Sequence, residues 1–410
     1  MPSLSTPNTS THPIPGMSIG STAANIRVAD RLDLTVFVLA PGSISQAMFT
    51  QNRFCAAPVQ VAKQHLASAM PRALVINTAY ANAGTGDAGL EVAQKTCEAL
   101  AKHLDCEPNE VLPFSTGIIG ESLPLDRLIA GLPSCLENMT SEKIATENWS
   151  QAANAIMTTD TRPKVASRKL TLDGKPVHIT GISKGAGMIC PNMATMLGFI
   201  GTDAKLSKET LNTLLKKAVT KSFNRITIDG DTSTNDAVVL TATGKSDVAI
   251  EELSDSEALA FEDTLIEVFV ELAQAIVKDG EGATKFVSIE VKGAATETDG
   301  LTIAKTIAHS PLVKTALFAE DPNWGRIIAA LGRAPVETLN LKDVTLAING
   351  LPVFADESVA SDYDEGQVGQ AMKETNITLT LEVGDQPTEA VVWTSDLSHD
   401  YVSINADYRS

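Results

Sequence analysis

The chain has 410 residues, 43% of them hydrophobic, which is long for one domain and enough to bury a large core. Its formal net charge of −18 and pI of about 4.8 argue against a general nucleic-acid or anionic-membrane binder, because phosphates call for a basic surface. Small anions stay open as ligands, since they need only a local basic pocket.

The N-terminal stretch "MPSLSTPNTSTHPIPGM" is rich in Ser, Thr and Pro. It has neither a basic n-region nor an apolar h-region, so residues 1–16 are expected to be a flexible tail rather than a secretory signal. No apolar run reaches the ~18 residues of a membrane span, and a cytoplasmic location is expected. "RALVINT" reads as a buried strand. "GLEVAQKTCEALAKHL" reads as a helix with Val92, Leu100 and Leu104 inward. "KETLNTLLKKAVTKSF" puts Leu211, Leu214, Leu215, Ala218 and Phe223 on one face. In "SDSEALAFEDTLIEVFVELAQAIVKDG", Ser254 and Glu257 have capping-box spacing, Leu265, Val268, Leu272 and Ile276 make an apolar stripe, and Gly280 stops the helix. "KFVSIEVKG", "DVTLAING" and "ITLTLEVG" alternate as half-buried strands. "ADESVASDYDEG" reads as an exposed acidic loop. The pattern is mixed α/β without a short repeat.

Several stretches carry candidate chemistry. "GTGDAG" (Gly84, Gly86, Gly89) matches GxGxxG between a strand and a helix, but "AYANA" separates it from the strand, which favours a structural turn over a dinucleotide loop. "IDGDTSTND" puts Asp229 and Asp231 after a β-branched run. That is close to the strand end of aspartyl-phosphate phosphatases, though a turn held by Asx and Ser/Thr bonds is the simpler reading. In "PFSTGIIGE", Ser115, Thr116 and Gly117 end an apolar run, where a hydroxyl beside a glycine N–H can form an oxyanion hole or merely an ST-turn. "MTTDTRPK" offers Thr158, Thr159, Asp160 and Arg162 as an amino-acid head-group site or, more simply, a solvated loop.

The five cysteines are scattered without CxxC, which fits free thiols, and Cys190 reads as a small buried residue before it reads as a nucleophile. The six histidines lack HxH and HExxH spacing, so neither a zinc site nor a metal cofactor is expected. "KGAGMICPNMATMLGF" combines Gly185, Gly187 and Pro191 with Thr195, which follows small Ala194 and opens an apolar run. A threonine placed so can attack the preceding carbonyl. Once freed, its α-amine, with an ordinary pKa of ~7.7–8.0, can serve as base for its own hydroxyl. A plain β-branched residue opening a strand fits the spacing as well.

Taken together, "KGAGMICPNMATML", "STGIIGE", "AIMTTDT", "IDGDTSTND", "EGATKF", "VKTALFAEDPNWGRI" and "TSDLSHDYVSINADYRS" resemble the ArgJ-type ornithine acetyltransferases, the glutamate N-acetyltransferases of arginine biosynthesis. The resemblance covers all but the first ~15 residues and departs mildly at Ser410, where some relatives end in Thr. It implies a DmpA/ArgJ-like layered α/β/β/α core with an additional α/β lobe. It implies cleavage between Ala194 and Thr195 into an α chain (1–194) and a β chain (195–410), intertwined in (αβ)2 heterotetramers. Thr195 would be the nucleophile, with Thr116 and Gly117 as the oxyanion hole. Thr158, Lys184, Thr195, Glu281, Asn405 and Ser410 would contact substrate. The implied partners are the small molecules N2-acetylornithine and glutamate, with acetyl-CoA as a further candidate donor, no cofactor, no nucleic acid and no membrane. The rival readings are a related N-terminal-nucleophile amidase or aminopeptidase, an Asp229 phosphatase, and a non-enzymatic scaffold.

Overall fold

The computed structural model describes residues 11–139, 147–190 and 196–407. Strands and helices are numbered in chain order, and they group into two compact units. The first runs to Gly185 and adds Asn192–Asn224 and Thr232–Ala273; the second comprises Ala186–Pro191, Arg225–Asp231 and Gln274–Ser410.

The first unit holds two sheets. One has the order β1 (Met17–Thr22), β2 (Leu34–Leu39), β4 (Ala73–Asn77), β5 (Val111–Ser115). The other has the order β3 (Ile44–Phe49), β10 (Ala237–Ala242), β8 (Leu197–Thr202), β7 (Lys175–Lys184), β6 (Lys164–Leu172). Alternation along each strand explains the layering. Leu74, Ile76, Leu112 and Phe114 of the first sheet meet Ile182, Leu197, Phe199 and Val239 of the second in one buried cluster. The opposite face of the first sheet, including Val36, Val75 and Val111, packs on Ala93, Cys97 and Leu100 of α2 (Gly86–Leu104) and Leu128 and Leu132 of α3 (Leu125–Glu137). With both faces buried, "ALVIN" has no polar alternation.

Helix α5 (Lys208–Lys221) lies along β3 and β10, and α6 (Asp255–Lys278) covers β7, where Gly181 leaves room for Leu272 and Ile200. The order is helices, sheet, sheet, helices, as expected. Helix α1 (Ala57–Ser68) packs by β5, and α4 (Asn148–Ala155) brings Trp149 edge-on to Phe37.

The second unit is a seven-stranded sheet in the order β14 (Ser358–Val359), β13 (Leu351–Ala355), β12 (Thr345–Ile348), β15 (Asn376–Glu382), β11 (Phe286–Gly293), β16 (Gln386–Ser395), β9 (Ile226–Thr227). Val287, Ile289 and Val291 alternate into a core shared with α7 (Glu297–Ala308), α8 (Pro311–Phe318), α9 (Trp324–Leu331) and Val368 of α10 (Glu365–Ala371). Helix α11 (His399–Ala406) follows β16.

Three sequence expectations move. Residues 11–16 are not a free tail: Ile14 is buried in the inter-sheet core, and Thr243 and Thr180 donate to the carbonyls of Pro15 and His12. The first ten residues lie outside the described residues. Helix α2 starts at Gly86, ahead of the predicted Gly89. The acidic stretch at 355–366 is not all loop, because Ser358–Val359 pairs with β13 and Asp364 caps α10.

Candidate active site

In the first unit, β4 and β5 run parallel with Asn77 opposite Ser115. The Ser115 hydroxyl donates to Asn77 Oδ1 (2.6 Å), and the Thr116 N–H donates to the Asn77 carbonyl (3.0 Å). The Asn235 side-chain amide donates to the carbonyls of Ala81 (2.6 Å) and Ser115 (2.9 Å). Thr116–Gly117 is therefore pinned from two sides. Gly117 has φ +133°, and a Cβ there would overlap the Ala79 carbonyl group, so glycine is required. Among the described residues no group accepts from the Gly117 N–H.

Lys184 ends β7 and is 9% exposed. Its ammonium donates to the hydroxyl oxygens of Thr158 (2.9 Å) and Thr116 (3.2 Å) and lies 4.0 Å from Asp160. An ammonium only donates, so the Thr116 oxygen accepts and its proton is left to point elsewhere, polarised by the positive charge. Asp160 Oδ1 accepts from Lys164 Nζ (2.6 Å) and from the Gly185 N–H (2.7 Å), and Oδ2 accepts from the Thr158 N–H (3.0 Å). Burial opposes ionisation of Asp160. The charges of Lys184 and Lys164 and these hydrogen bonds outweigh it and hold the carboxyl below the usual range. The Asp160 carboxylate thus stands between two ammoniums, and the Lys184 ammonium is the type of group that recognises a carboxylate.

In the second unit, the Asn405 side-chain amide donates to Glu281 Oε2 (2.8 Å), and the Glu281 N–H donates to the Ala186 carbonyl (2.8 Å). Gly187 leaves the space that the Glu281 carboxylate fills. Gly282, with φ +68°, lets the Ser398 hydroxyl reach its carbonyl (2.6 Å) at the start of α11.

The sequence profile of the ArgJ family matches residues 18–410. The chain is 48% identical over 402 residues to an arginine biosynthesis bifunctional protein ArgJ of Pseudomonas syringae pv. tomato, covering 97% of each chain. It is 48% identical over 398 residues to the protein of that name from Methylococcus capsulatus, covering 97% of this chain and 96% of the other. The chain belongs to the ArgJ family. Among solved structures, an ArgJ from Bacillus halodurans aligns at 36% identity and a TM-score of 0.49, covering 52% of this chain and 99% of that one. An ornithine acetyltransferase from Mycobacterium tuberculosis, complexed with ornithine, aligns at 32% identity and a TM-score of 0.38, covering 46% and 95%.

Of the residues expected from the ArgJ resemblance, Thr116, Gly117, Thr158 and Lys184 belong to the first unit, where Lys184 joins the two threonines. Glu281 and Asn405 belong to the second, where they bond to each other. Ala194, Thr195 and Ser410 lie outside the described residues.

The solvated-loop reading of "MTTDTRPK" is overturned, since the side chains of Asp160 and Lys164 are 0% and 1% exposed. Sequence reasoning missed Lys164, Asn77 and Asn235. The Asp173–Gly174 dipeptide, with both residues at positive φ, carried the signal for Lys164. Counting back from that hairpin turn sets Lys164 opposite Ser183, beside Lys184.

The remaining motifs resolve as structure. The Asn82 side chain donates to the Gly89 carbonyl (2.9 Å) and accepts from the Thr85 hydroxyl (2.8 Å), so "GTGDAG" is a turn filled by its own side chains. The Asp229 carboxylate accepts from the N–H groups of Met188, Ile189 and Asp231, the side-chain-to-backbone bonding of the turn reading. Burial pushes the Cys190 thiol up, against a weaker opposing effect of Thr227, so it is no ready nucleophile despite lying 3.4 Å from His309 Nε2. Among the described residues no cysteine forms a disulfide. Among the described residues no helix is long and apolar enough to cross a membrane.

Proposed function

We propose that this chain is a self-processing acetyltransferase of arginine biosynthesis. It moves acetyl from N2-acetyl-L-ornithine to L-glutamate and yields L-ornithine and N-acetyl-L-glutamate. The observation that carries the reading is the buried convergence of Lys184 on the hydroxyls of Thr116 and Thr158, beside Gly117.

In processing, the Thr195 hydroxyl adds to the Ala194 carbonyl and the acyl group shifts from nitrogen to oxygen, which frees the Thr195 α-amine; water then opens the ester and releases the Ala194 carboxylate and the Thr195 hydroxyl. The products are an α chain of residues 1–194 and a β chain of residues 195–410. Strand β8, after the bond, is hydrogen-bonded between β7, before it, and β10, which supports two chains sharing one sheet.

In turnover, the Thr195 hydroxyl gives its proton to that amine and attacks the acetyl carbonyl. The Thr116 hydroxyl and Gly117 N–H donate to the oxyanion. Ornithine leaves with the proton, and the amine of glutamate then takes the acetyl group from the Thr195 ester. Lys184 and Thr158 receive the substrate carboxylate. Glu281, Asn405 and Ser410 contact substrate, the Glu281 carboxylate suiting the δ-ammonium of ornithine. The chain works in the cytoplasm as an (αβ)2 assembly and needs no cofactor. The bifunctional name of both curated relatives supports acetyl-CoA as a second donor.

Incubation with acetylornithine alone should release ornithine and add one acetyl mass to the peptide beginning at Thr195, and Thr195→Ala should stay uncut and inactive. Active protein that remains one intact chain, or acetate in place of acetylglutamate, would overturn the reading. The second of these results is what an amidase would give.

A further inference from the structure

The stretches "EGATKF" and "TSDLSHDY" contain more polar residues than the proposed chemistry uses, and within the second unit they are bonded to each other. Asp396 is 4% exposed. Its Oδ1 accepts from the N–H groups of Thr284 (2.8 Å) and Lys285 (2.9 Å), and its Oδ2 accepts from the Thr284 hydroxyl (2.7 Å). The backbone on either side of Asp396 is fixed as well. The buried Lys314 ammonium donates to the Thr394 hydroxyl (3.0 Å) and to the Ser395 carbonyl, and the Leu397 N–H donates to the Lys314 carbonyl (3.2 Å).

These bonds stand at the base of α11, the helix that carries Asn405. No residue of α11 is buried, so core packing does not decide where the helix lies. Contacts near its N-terminal end must do so. Besides the Asp396 bonds, the Ser398 hydroxyl donates to the Gly282 carbonyl (2.6 Å), the Tyr401 hydroxyl donates to Asp229 (3.3 Å), and His399 meets Phe318 edge-on (5.6 Å between ring centres). Glu281 is held separately, through its N–H on the Ala186 carbonyl. What Asp396 sets is therefore the position of Asn405 against the Glu281 carboxylate. The Asn405 amide takes up Oε2, and among the described residues no group donates to Oε1. A carboxylate with one oxygen engaged keeps the other for an ammonium ligand, in a set direction.

We propose that Asp396 is a positioning residue for selectivity towards the substrate's distal ammonium: by binding Thr284 and Lys285 it fixes α11 so that Asn405 orients the Glu281 carboxylate. This rests on the reading above, in which Glu281 meets the δ-ammonium of ornithine. The donor pattern predicts how each substitution behaves. Asp396→Asn keeps an oxygen for the two N–H groups, and its amide can donate to the Thr284 hydroxyl, which accepts as well as donates. Asp396→Ala takes the acceptor away from all three donors.

The test compares two acetyl donors, N2-acetyl-L-ornithine and N-acetyl-L-norvaline, which has the same carbon skeleton without the δ-ammonium. With glutamate as acceptor, kcat/KM for each donor gives a selectivity ratio. Asp396→Ala should lower that ratio about tenfold through the KM for acetylornithine, the scale of a hydrogen bond to a charged group, and should leave acetylnorvaline nearly unaffected. Asp396→Asn should stay within about twofold of the wild type. Ser398→Ala breaks the second tie and should lower the ratio about threefold, and it decides the matter where Asp396→Ala does not fold. An unchanged ratio, or an equal loss with both donors, would overturn the proposal, since Asp396 would then serve stability alone. Asp396→Asn as damaging as Asp396→Ala would also overturn it, because charge and not the bonding pattern would then matter. A wild type without preference for acetylornithine would overturn the parent reading of Glu281, and the proposal with it. A wild-type preference that Glu281→Gln abolishes upholds that reading whatever the Asp396 variants do.

Discussion

In the first unit, Thr116, Thr158 and Lys184 stand at or beside strand ends around the wholly buried pair Asp160 and Lys164. In the second, Glu281 and Asn405 meet between a loop and α11, a helix with no buried residue. The difference bears on how each cluster can act. Charges taken out of water and fixed by several hydrogen bonds cannot relax, so they hold a set geometry toward a developing oxyanion. Groups on a solvated helix bind and release without such commitment, which suits recognition of the substrate's far end. Substitutions in the first cluster should therefore reach folding and kcat, and those in the second should reach KM.

The largest effect should come from Asp160→Asn. It removes the carboxylate from between two buried ammoniums, and breaking a buried pair in this way costs about 3–5 kcal/mol. Because the Asp160 carboxyl is held below its usual range, its stabilisation is present above the unfolded pKa of about 3.9 and is lost as pH falls through the folded value. The variant should be much less stable at neutral pH and should lose less on acidification than the wild type. Urea denaturation across pH checks both. A variant within about 1 kcal/mol of the wild type, the worth of an exposed pair, would erase the contrast between the two clusters.

The next comparison sets Thr116→Ala against Asn405→Ala. In the proposed role of Thr116 as an oxyanion donor, one such donor is worth roughly 3 kcal/mol, so Thr116→Ala should lower kcat about 100-fold with KM little changed. Loss of one solvated hydrogen bond is worth about 1 kcal/mol, so Asn405→Ala should raise KM about fivefold with kcat nearly intact. Steady-state kinetics with acetylornithine as the varied substrate reads both. The reverse pattern would exchange the roles of the clusters.

The layered core was legible in the sequence because a strand buried on both faces reads as an unbroken apolar run, as in "ALVIN", and because α6 carries one continuous stripe. The Asp160 cluster was not. Thr158, Asp160 and Lys164 stand in one short motif but Lys184 comes from the end of the next strand, and burial of a polar group depends on partners brought by strand register, which local composition does not encode. Asn77 and Asn235 were hidden for the same reason: a side chain that holds a loop through backbone carbonyls leaves no chemical signature of its own. Glu281, Asn405 and Lys184 were named from the long motifs of the family resemblance, and spacing alone pointed to none of them.

Within the first unit the sharper contrast lies between two buried aspartates. Asp160 has two lysines at hand, whereas Asp236 is held chiefly by Ser233, and among the described residues its Oδ2 has no hydrogen-bond partner. Burial dominates at Asp236 and pushes its carboxyl well above the usual range, against weaker opposing effects of Ser233 and the more distant Lys184 charge. The sign is opposite to that of Asp160. A raised native pKa means that the folded state binds the proton more tightly, so this contribution is full below about 3.9 and is lost as pH climbs toward the native value. Asp236→Asn removes that titration while keeping the shape. Its second amide hydrogen costs something at every pH, so the informative quantity is the difference in melting temperature between variant and wild type, not either value alone. That difference should move in the variant's favour from about pH 4 to about pH 8, across the range in which an ordinary carboxyl is already ionised. An equal difference at both ends would mean that Asp236 is ionised in the fold. The first unit would then hold a buried anion away from any ammonium contact, and pairing would no longer be what lets Asp160 carry its charge.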